Sequence, residues 1–243
     1  MMIMNVKNQL KKVVFACLLL PVISVANTEV HLDKAPIDAS NHESLQRGAR
    51  TFINSCLNCH SANYMRYNRL LEIGLTEKQI KDNLLFTADK IGEPMKSAID
   101  KKDAKKWFGV TPPDLSVEVR ARGADWVYTY LRGFYRDAES PTGWKNCVFD
   151  PKSCNVSMPH VLYELQGEQV MNHETHKLEL VREGKMSVAE YDAMVGDLTN
   201  YMAYMADPTK QKYTQLGWFV MLFLGVLFVL SYKLKKAYWK DIH

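Results

Sequence analysis

Cys56-Leu57-Asn58-Cys59-His60 is the stretch that decides how this chain folds. Cys-x-x-Cys-His is the attachment signature of a c-type haem. Two thiols at this spacing add across the two vinyl groups of one porphyrin. The histidine beside the second thiol is then held against the iron as its proximal ligand. On a helix, Cys56 and Cys59 lie three apart and Cys56 and His60 four apart, so all three share one face. A thioredoxin-like Cys-x-x-Cys would need a βαβ setting, but an amphipathic helix precedes this one. A zinc site would need a second close pair, and six residues separate Cys147 from Cys154.

Outward from the motif, the pattern is helical. Ser40 and Glu43 form an S-x-x-E capping box. Leu45, Ala49, Phe52 and Ile53 then make a stripe that runs into Cys56. Thr76-x-x-Gln79 is a second box, with Leu75 and Ile80 spaced as a hydrophobic staple and Leu84 and Leu85 continuing the helix. Lys101–Lys106 reads as a solvated charge run without a function. Trp126, Val127, Tyr130, Leu131 and Phe134 mark another helix, and residues 137–160, with Pro141, Gly143, Pro151 and Pro159, read as a loop. Ser187-x-x-Glu190 caps a last helix with the stripe Val188, Tyr191, Val195, Leu198, Met202 and Met205, which Pro208 stops. Strand signals are scarce. The expected fold class is mostly α: a c-type cytochrome domain with long loops around one covalent haem, plus one C-terminal transmembrane helix.

Both ends relate to a membrane. Lys7, Lys11 and Lys12, an apolar run Val13–Leu20 and the small residues Ser24 and Ala26 have the form of a secretory signal over residues 1–26. Leu216–Tyr232 is seventeen residues without a charge, or roughly 25 Å of helix, near the lower limit for a bilayer span. Tyr213 and Trp218, and Tyr232, Tyr238 and Trp239, fit aromatic belts at its two ends. Lys233, Lys235, Lys236 and Lys240 against Asp241 put the tail, 233–243, in the cytoplasm by the positive-inside rule. The expected layout is a signal peptide, a periplasmic haem domain over 27–214, an anchor over 215–232 and that tail, in the inner (cell) membrane. The formal charge is +4; without the three leading lysines, and the four lysines and one aspartate of the tail, 24 basic and 26 acidic residues remain, a net −2. Nothing in this balance suggests nucleic acid. Cys147 and Cys154, an even pair in an oxidising compartment, read as a disulfide.

The iron needs a sixth ligand or an open site. Methionine paired with histidine raises the potential. Met1, Met2 and Met4 leave with the signal, Met221 lies in the anchor, and Met194, Met202 and Met205 belong to the last helix. Met65 is too near His60 to reach the opposite face. Met95, Met158, Met171 and Met186 remain. Met158 leads, because it sits in a loop beside the cysteine pair and Pro159 stiffens the backbone after it; Met95 and, for a bis-histidine iron, His160 stay open.

Taken in order, Cys56-x-x-Cys59-His60-Ser61, Pro112-Pro113-Asp114-Leu115-Ser116, Arg120-Ala121-Arg122-Gly123, Met158-Pro159, Asp197-Leu198-x-Asn200-Tyr201-Met202-x-Tyr204-Met205-x-Asp207-Pro208 and a single C-terminal anchor resemble the cytochrome c1 family. The family's members are haem subunits of the ubiquinol–cytochrome c reductase (bc1) complex. The resemblance covers nearly all of the chain after the signal. It implies one haem c on Cys56 and Cys59, iron ligands His60 and Met158, a haem-edge segment containing Pro113, and a propionate contact from Arg122 with Arg120 as its companion. It also implies partners: cytochrome b, a Rieske iron–sulfur subunit and a cytochrome c acceptor. Stretch 86–106 is shorter and more basic than the acidic insertion of mitochondrial members. Two other functions share the haem motif. One is a haem c anchor subunit of a terminal oxidase or nitric oxide reductase. The other is an enzyme or sensor with an open iron position.

Overall fold

The computed structural model describes residues 30–172, 174–175 and 177–240. The expected signal peptide, 1–26, lies outside them, as do the last three residues of the tail. Two helices make the frame: α1, His42–Ser55, and α7, Val188–Ala206. Between them in sequence come β1 (Ala62–Arg66), a 3₁₀ helix (Tyr67–Ile73), α2 (Glu77–Asn83), β2 (Pro94–Met95), α3 (Lys101–Phe108), α4 (Glu118–Arg122), α5 (Ala124–Arg132), β3 (Tyr135–Arg136), β4 (Trp144–Lys145), α6 (Tyr163–Gln166), β5 (Gly167–Asn172) and β6 (Lys177–Glu183). α8, Lys210–Tyr238, closes the chain.

α1 packs along α7, and the expected stripe is its buried face: Leu45, Ala49, Phe52 and Ile53 are all in the core. Gly48 lets the two backbones meet: a Cβ there would lie 2.1 Å from the Asp197 carbonyl oxygen and 2.7 Å from the Tyr201 Cβ. Phe52 packs on Tyr201 with ring centroids 5.7 Å apart. Buried Asn200 donates through Nδ2 to the Asp38 carbonyl (2.8 Å) and Ser44 Oγ (3.0 Å), tying the approach to α1 onto α7. α5 lies on the same helix. Tyr191 donates its hydroxyl to the Leu131 carbonyl (2.9 Å), and Arg132 forks onto Asp192.

The Thr76–Gln79 and Ser187–Glu190 capping boxes form as the sequence predicts. The first box does not. Asp38 accepts from the Ser40 amide (2.9 Å) and hydroxyl (2.5 Å), so Asn41 caps α1 by accepting from the Ser44 amide. The charge run forms the short helix α3, capped by Asp100 and seated on fully buried Ala104. The described sheet structure is three two-stranded antiparallel pairs, β1–β2, β3–β4 and β5–β6. The β5–β6 hairpin is longer than the sparse strand signals suggest. Leu216–Tyr238, 23 residues, is long and apolar enough to cross a membrane, and none of it is buried. At 1.5 Å per residue it reaches about 34 Å, a full hydrocarbon core.

Candidate functional site: a cleft between His60 and Met158

α1 delivers the motif. Cys56 is its C-cap, donating its amide to the Phe52 carbonyl (2.8 Å). A further turn follows, in which Cys59 (3.1 Å) and His60 (2.8 Å) donate their amides to the Cys56 carbonyl. Among the described residues, Cys56 and Cys59 are the free cysteines. Burial first, and then the neighbouring Cys59 sulfur, pushes the Cys56 thiol up to about 12. Burial therefore favours its neutral thiol form.

His60 Nδ1 lies 2.8 Å from the Pro113 carbonyl oxygen. That hydrogen bond makes Nδ1 the N–H side and leaves Nε2 as the ring nitrogen with a lone pair. Burial lowers the ring's pKa, which keeps it neutral. The Pro112–Ser116 loop is itself fixed. The Leu115 amide donates to the Ser61 carbonyl (2.9 Å). The Asp114 carboxylate accepts from the Asn63 amide (2.9 Å), Asn63 Nδ2 (2.7 Å) and the Ser116 amide (2.8 Å). Ser116 Oγ accepts from the Tyr64 amide (3.0 Å). Motif and loop are thus tied together by hydrogen bonds.

A cavity of about 360 Å³ opens beside His60, with Cys56, Pro113, Leu115, Tyr130, Phe149 and Met158 on its walls. A smaller one of about 90 Å³ lies against Cys59, Phe108, Val110 and Val161. His60, Pro113 and Met158 border both. The Met158 sulfur accepts a hydrogen bond from the Tyr130 hydroxyl at 3.4 Å. Burial raises the pKa of that phenol, so it stays a donor. The Tyr130 ring is fixed by stacking on Trp126 (4.9 Å) and an edge contact with Phe134 (5.1 Å).

The loop carrying Met158 is braced. Cys147 and Cys154 are disulfide-bonded. Fully buried Asn146 donates its amide to the Cys154 carbonyl (2.7 Å) and its Nδ2 to the Tyr130 carbonyl (2.7 Å), fastening the loop to the end of α5. The two alternative ligands lie away from the cleft. Met95 is wholly buried in the core and accepts from Tyr201 Oη at 3.5 Å. His160 is buried, stacked on Phe134 at 4.8 Å and edge-on to Trp144. Neither borders the cavities.

Arg122 stands on the rim of the larger cavity. It donates to Glu118 at 2.5 Å and lies 4.4 Å over the Trp126 ring. Arg120 is exposed and borders neither cavity. Two free thiols, a neutral histidine with its outer nitrogen available, a thioether across an apolar space and an arginine at the rim make up the donor set of a covalent haem c, so the residues present fit that group. Sequence reading took Tyr130 and Asn146 for core and loop. The signal it passed over is that a buried phenol needs a hydrogen-bond partner.

A family model described as "Cytochrome C1 family" matches residues 32–242. An "Ammonia monooxygenase gamma subunit" of Nitrosomonas europaea is 50% identical over 235 residues, covering 96% of this chain and 99% of that one. A "Cytochrome c1" of Allochromatium vinosum is 49% identical over 224 residues, covering 88% of this chain and 90% of that protein. A "Cytochrome c1" of Rhodospirillum rubrum is 29% identical over 223 residues, covering 82% and 81%.

Proposed function

This chain belongs to the cytochrome c1 family, and from that premise we propose that it takes single electrons from a Rieske iron–sulfur protein beside cytochrome b and passes them to a c-type cytochrome. A member of this family carries one covalent haem c and works in electron transfer in a bc1-type complex, itself an oxidoreductase. When bound, that haem supplies one-electron chemistry at the relatively high potential typical of His/Met ligation.

The protein's part is to hold and tune. In this reading Cys56 and Cys59 would tether the porphyrin, and His60, oriented by the Pro113 carbonyl, would bind its iron. Met158 would offer the iron its sulfur, to which the Tyr130 hydroxyl donates. Arg122 faces a propionate from the cavity rim, with Glu118 and Trp126 holding its guanidinium in place. Arg120, exposed on the same helix, is proposed as its companion. The observation that carries the reading is the shared border of His60 and Met158 on one cleft, with the far side of the imidazole already pinned. With both side chains on the iron, no position would be left for a substrate, which would suit a carrier.

Membranes with the chain deleted test this. Quinol should no longer reduce an added cytochrome c by an antimycin-sensitive route. Survival of that route would mean that the chain serves a different system, such as the one its ammonia monooxygenase relative is named for.

The helix Leu216–Tyr238 anchors the protein. We place the haem domain in the periplasm and the lysine-rich end in the cytoplasm. Protease added to intact spheroplasts should digest the haem domain and spare the tail; digestion of the tail from outside would contradict this orientation.

A further inference from the structure

We propose that α3 and the apolar mouth beside it form the docking face for an acidic electron-acceptor protein. This rests on the electron-carrier reading above and adds the chemistry of the partner. Lys101, Lys102, Lys105 and Lys106 are all exposed on this helix. Among the described residues none of them has a carboxylate partner. Elsewhere on the surface Lys81, Lys145 and Lys185 are each paired, with Glu77, Asp137 and Glu164. Of the helix's two acids, Asp100 is occupied: Oδ1 accepts from the Lys102 (2.7 Å) and Asp103 (3.3 Å) amides as the cap. The segment from Asp100 to Phe108 thus carries four lysines against two acids, a formal +2.

Position gives the charge its meaning. The last turn of α3 and the residues after it lead to the smaller cavity: Phe108 and Val110 border it together with Cys59 and His60. Trp107 is 65% exposed, Val110 47% and, across the mouth, Val161 43%. No Asp, Glu, Lys or Arg borders that cavity. An apolar centre with a lysine-rich helix leading to its rim is the layout of a transient interface. The rim steers the encounter and the dry centre brings the two redox groups close. The exported body is nearly neutral, so attraction here comes from a local cluster rather than net charge, and the complementary surface is acidic. One electron crosses: this chain is oxidised by one, the acceptor's ferric haem is reduced by one, and no proton or bond changes place.

The test uses the complex in detergent and two acceptors of one fold: a basic c-type cytochrome and the same cytochrome with its surface lysines succinylated. Two steps are timed separately, reduction of this chain by quinol and its oxidation by acceptor. The wild type should oxidise about tenfold faster with the succinylated acceptor at low salt, and the advantage should fade as salt rises. Lys101→Gln/Lys102→Gln/Lys105→Gln/Lys106→Gln should abolish the preference while leaving quinol-driven reduction intact. Lys105→Gln/Lys106→Gln, a milder change, should remove part of it. A preference for the basic acceptor, or variants that oxidise like wild type, would overturn the proposal. So would variants slowed in quinol-driven reduction, which would assign the face to the donor. Failure of quinol to reduce the wild-type chain would instead count against the electron-carrier reading itself.

Discussion

Met158→Leu should open the iron to carbon monoxide, which the wild-type protein should not bind. Leucine matches methionine in volume but offers no lone pair, so the cleft should stay filled while the iron would lose one ligand. The potential should fall by about 0.1 V or more, within the roughly 0.8 V that axial ligands command. A second penalty comes from Tyr130, whose buried hydroxyl donates to the sulfur at 3.4 Å. Stranding it costs about 1–3 kcal/mol. Tyr130→Phe alone keeps the ring stacked on Trp126 and removes only the hydrogen bond. It should lower the potential by roughly 20–60 mV, the electrical equivalent of a 0.5–1.5 kcal/mol bond. The double variant should regain part of the stability that Met158→Leu loses. Spectroelectrochemical titration under nitrogen and carbon monoxide measures all three. An unchanged potential without carbon monoxide binding in Met158→Leu would remove Met158 from the iron.

Gly48→Ala should be strongly destabilising to the haem domain. The added Cβ would sit 2.1 Å from the Asp197 carbonyl oxygen and 2.7 Å from the Tyr201 Cβ. Both belong to the middle of α7, where Arg47 holds Asp197 through Nε (2.6 Å) and Nη2 (3.1 Å). Backbone cannot rotate aside as a side-chain tip can, so α1 and α7 must separate along the seam that carries Phe52 and Tyr201. Overpacking of this kind costs about 3 kcal/mol or more. For a domain of this size that lowers the thermal midpoint by roughly 6–12 °C. Circular dichroism of the purified holoprotein reads it directly. Arg50→Ala, exposed on the same helix, should stay within about 0.5 kcal/mol. An undiminished midpoint in Gly48→Ala would show that the close approach is not a constraint.

What could be read from the chain beforehand was what depends on near neighbours. The boxes at Thr76 and Ser187 need a partner three residues away, and both form. The box at Ser40 fails for an equally local reason: Asp38 offers a charged acceptor to the same amide and hydroxyl. The haem motif, the anchor and the Met158 loop were legible because spacing and hydropathy specify them. The β5–β6 hairpin was not. Apart from Gly167, its strands are half-buried or exposed, so no alternation of buried apolar residues announces them. Main-chain pairing from Gly167↔Glu183 to Asn172↔Lys177 defines it instead. Long-range partners are silent in sequence too. Tyr130 meets Met158 across 28 residues, and His60 meets Pro113 across 53. Met95 was eligible until Tyr201, 106 residues on, claimed its sulfur. The lysines of α3 looked like an inert solvated run because their relation to the cleft is set by the fold.

The joint between α7 and α8 has a mechanical meaning. α7 ends at Ala206 and α8 begins at Lys210, leaving Asp207, Pro208 and Thr209 between them. Three residues span at most about 10 Å even when fully stretched. Proline stiffens this link, and the Tyr213 hydroxyl, from the first turn of α8, donates to the Asp207 carboxylate. A leash this short leaves the domain no room to shuttle between stations. A domain held this way should act as a fixed post, with the travelling left to its partners.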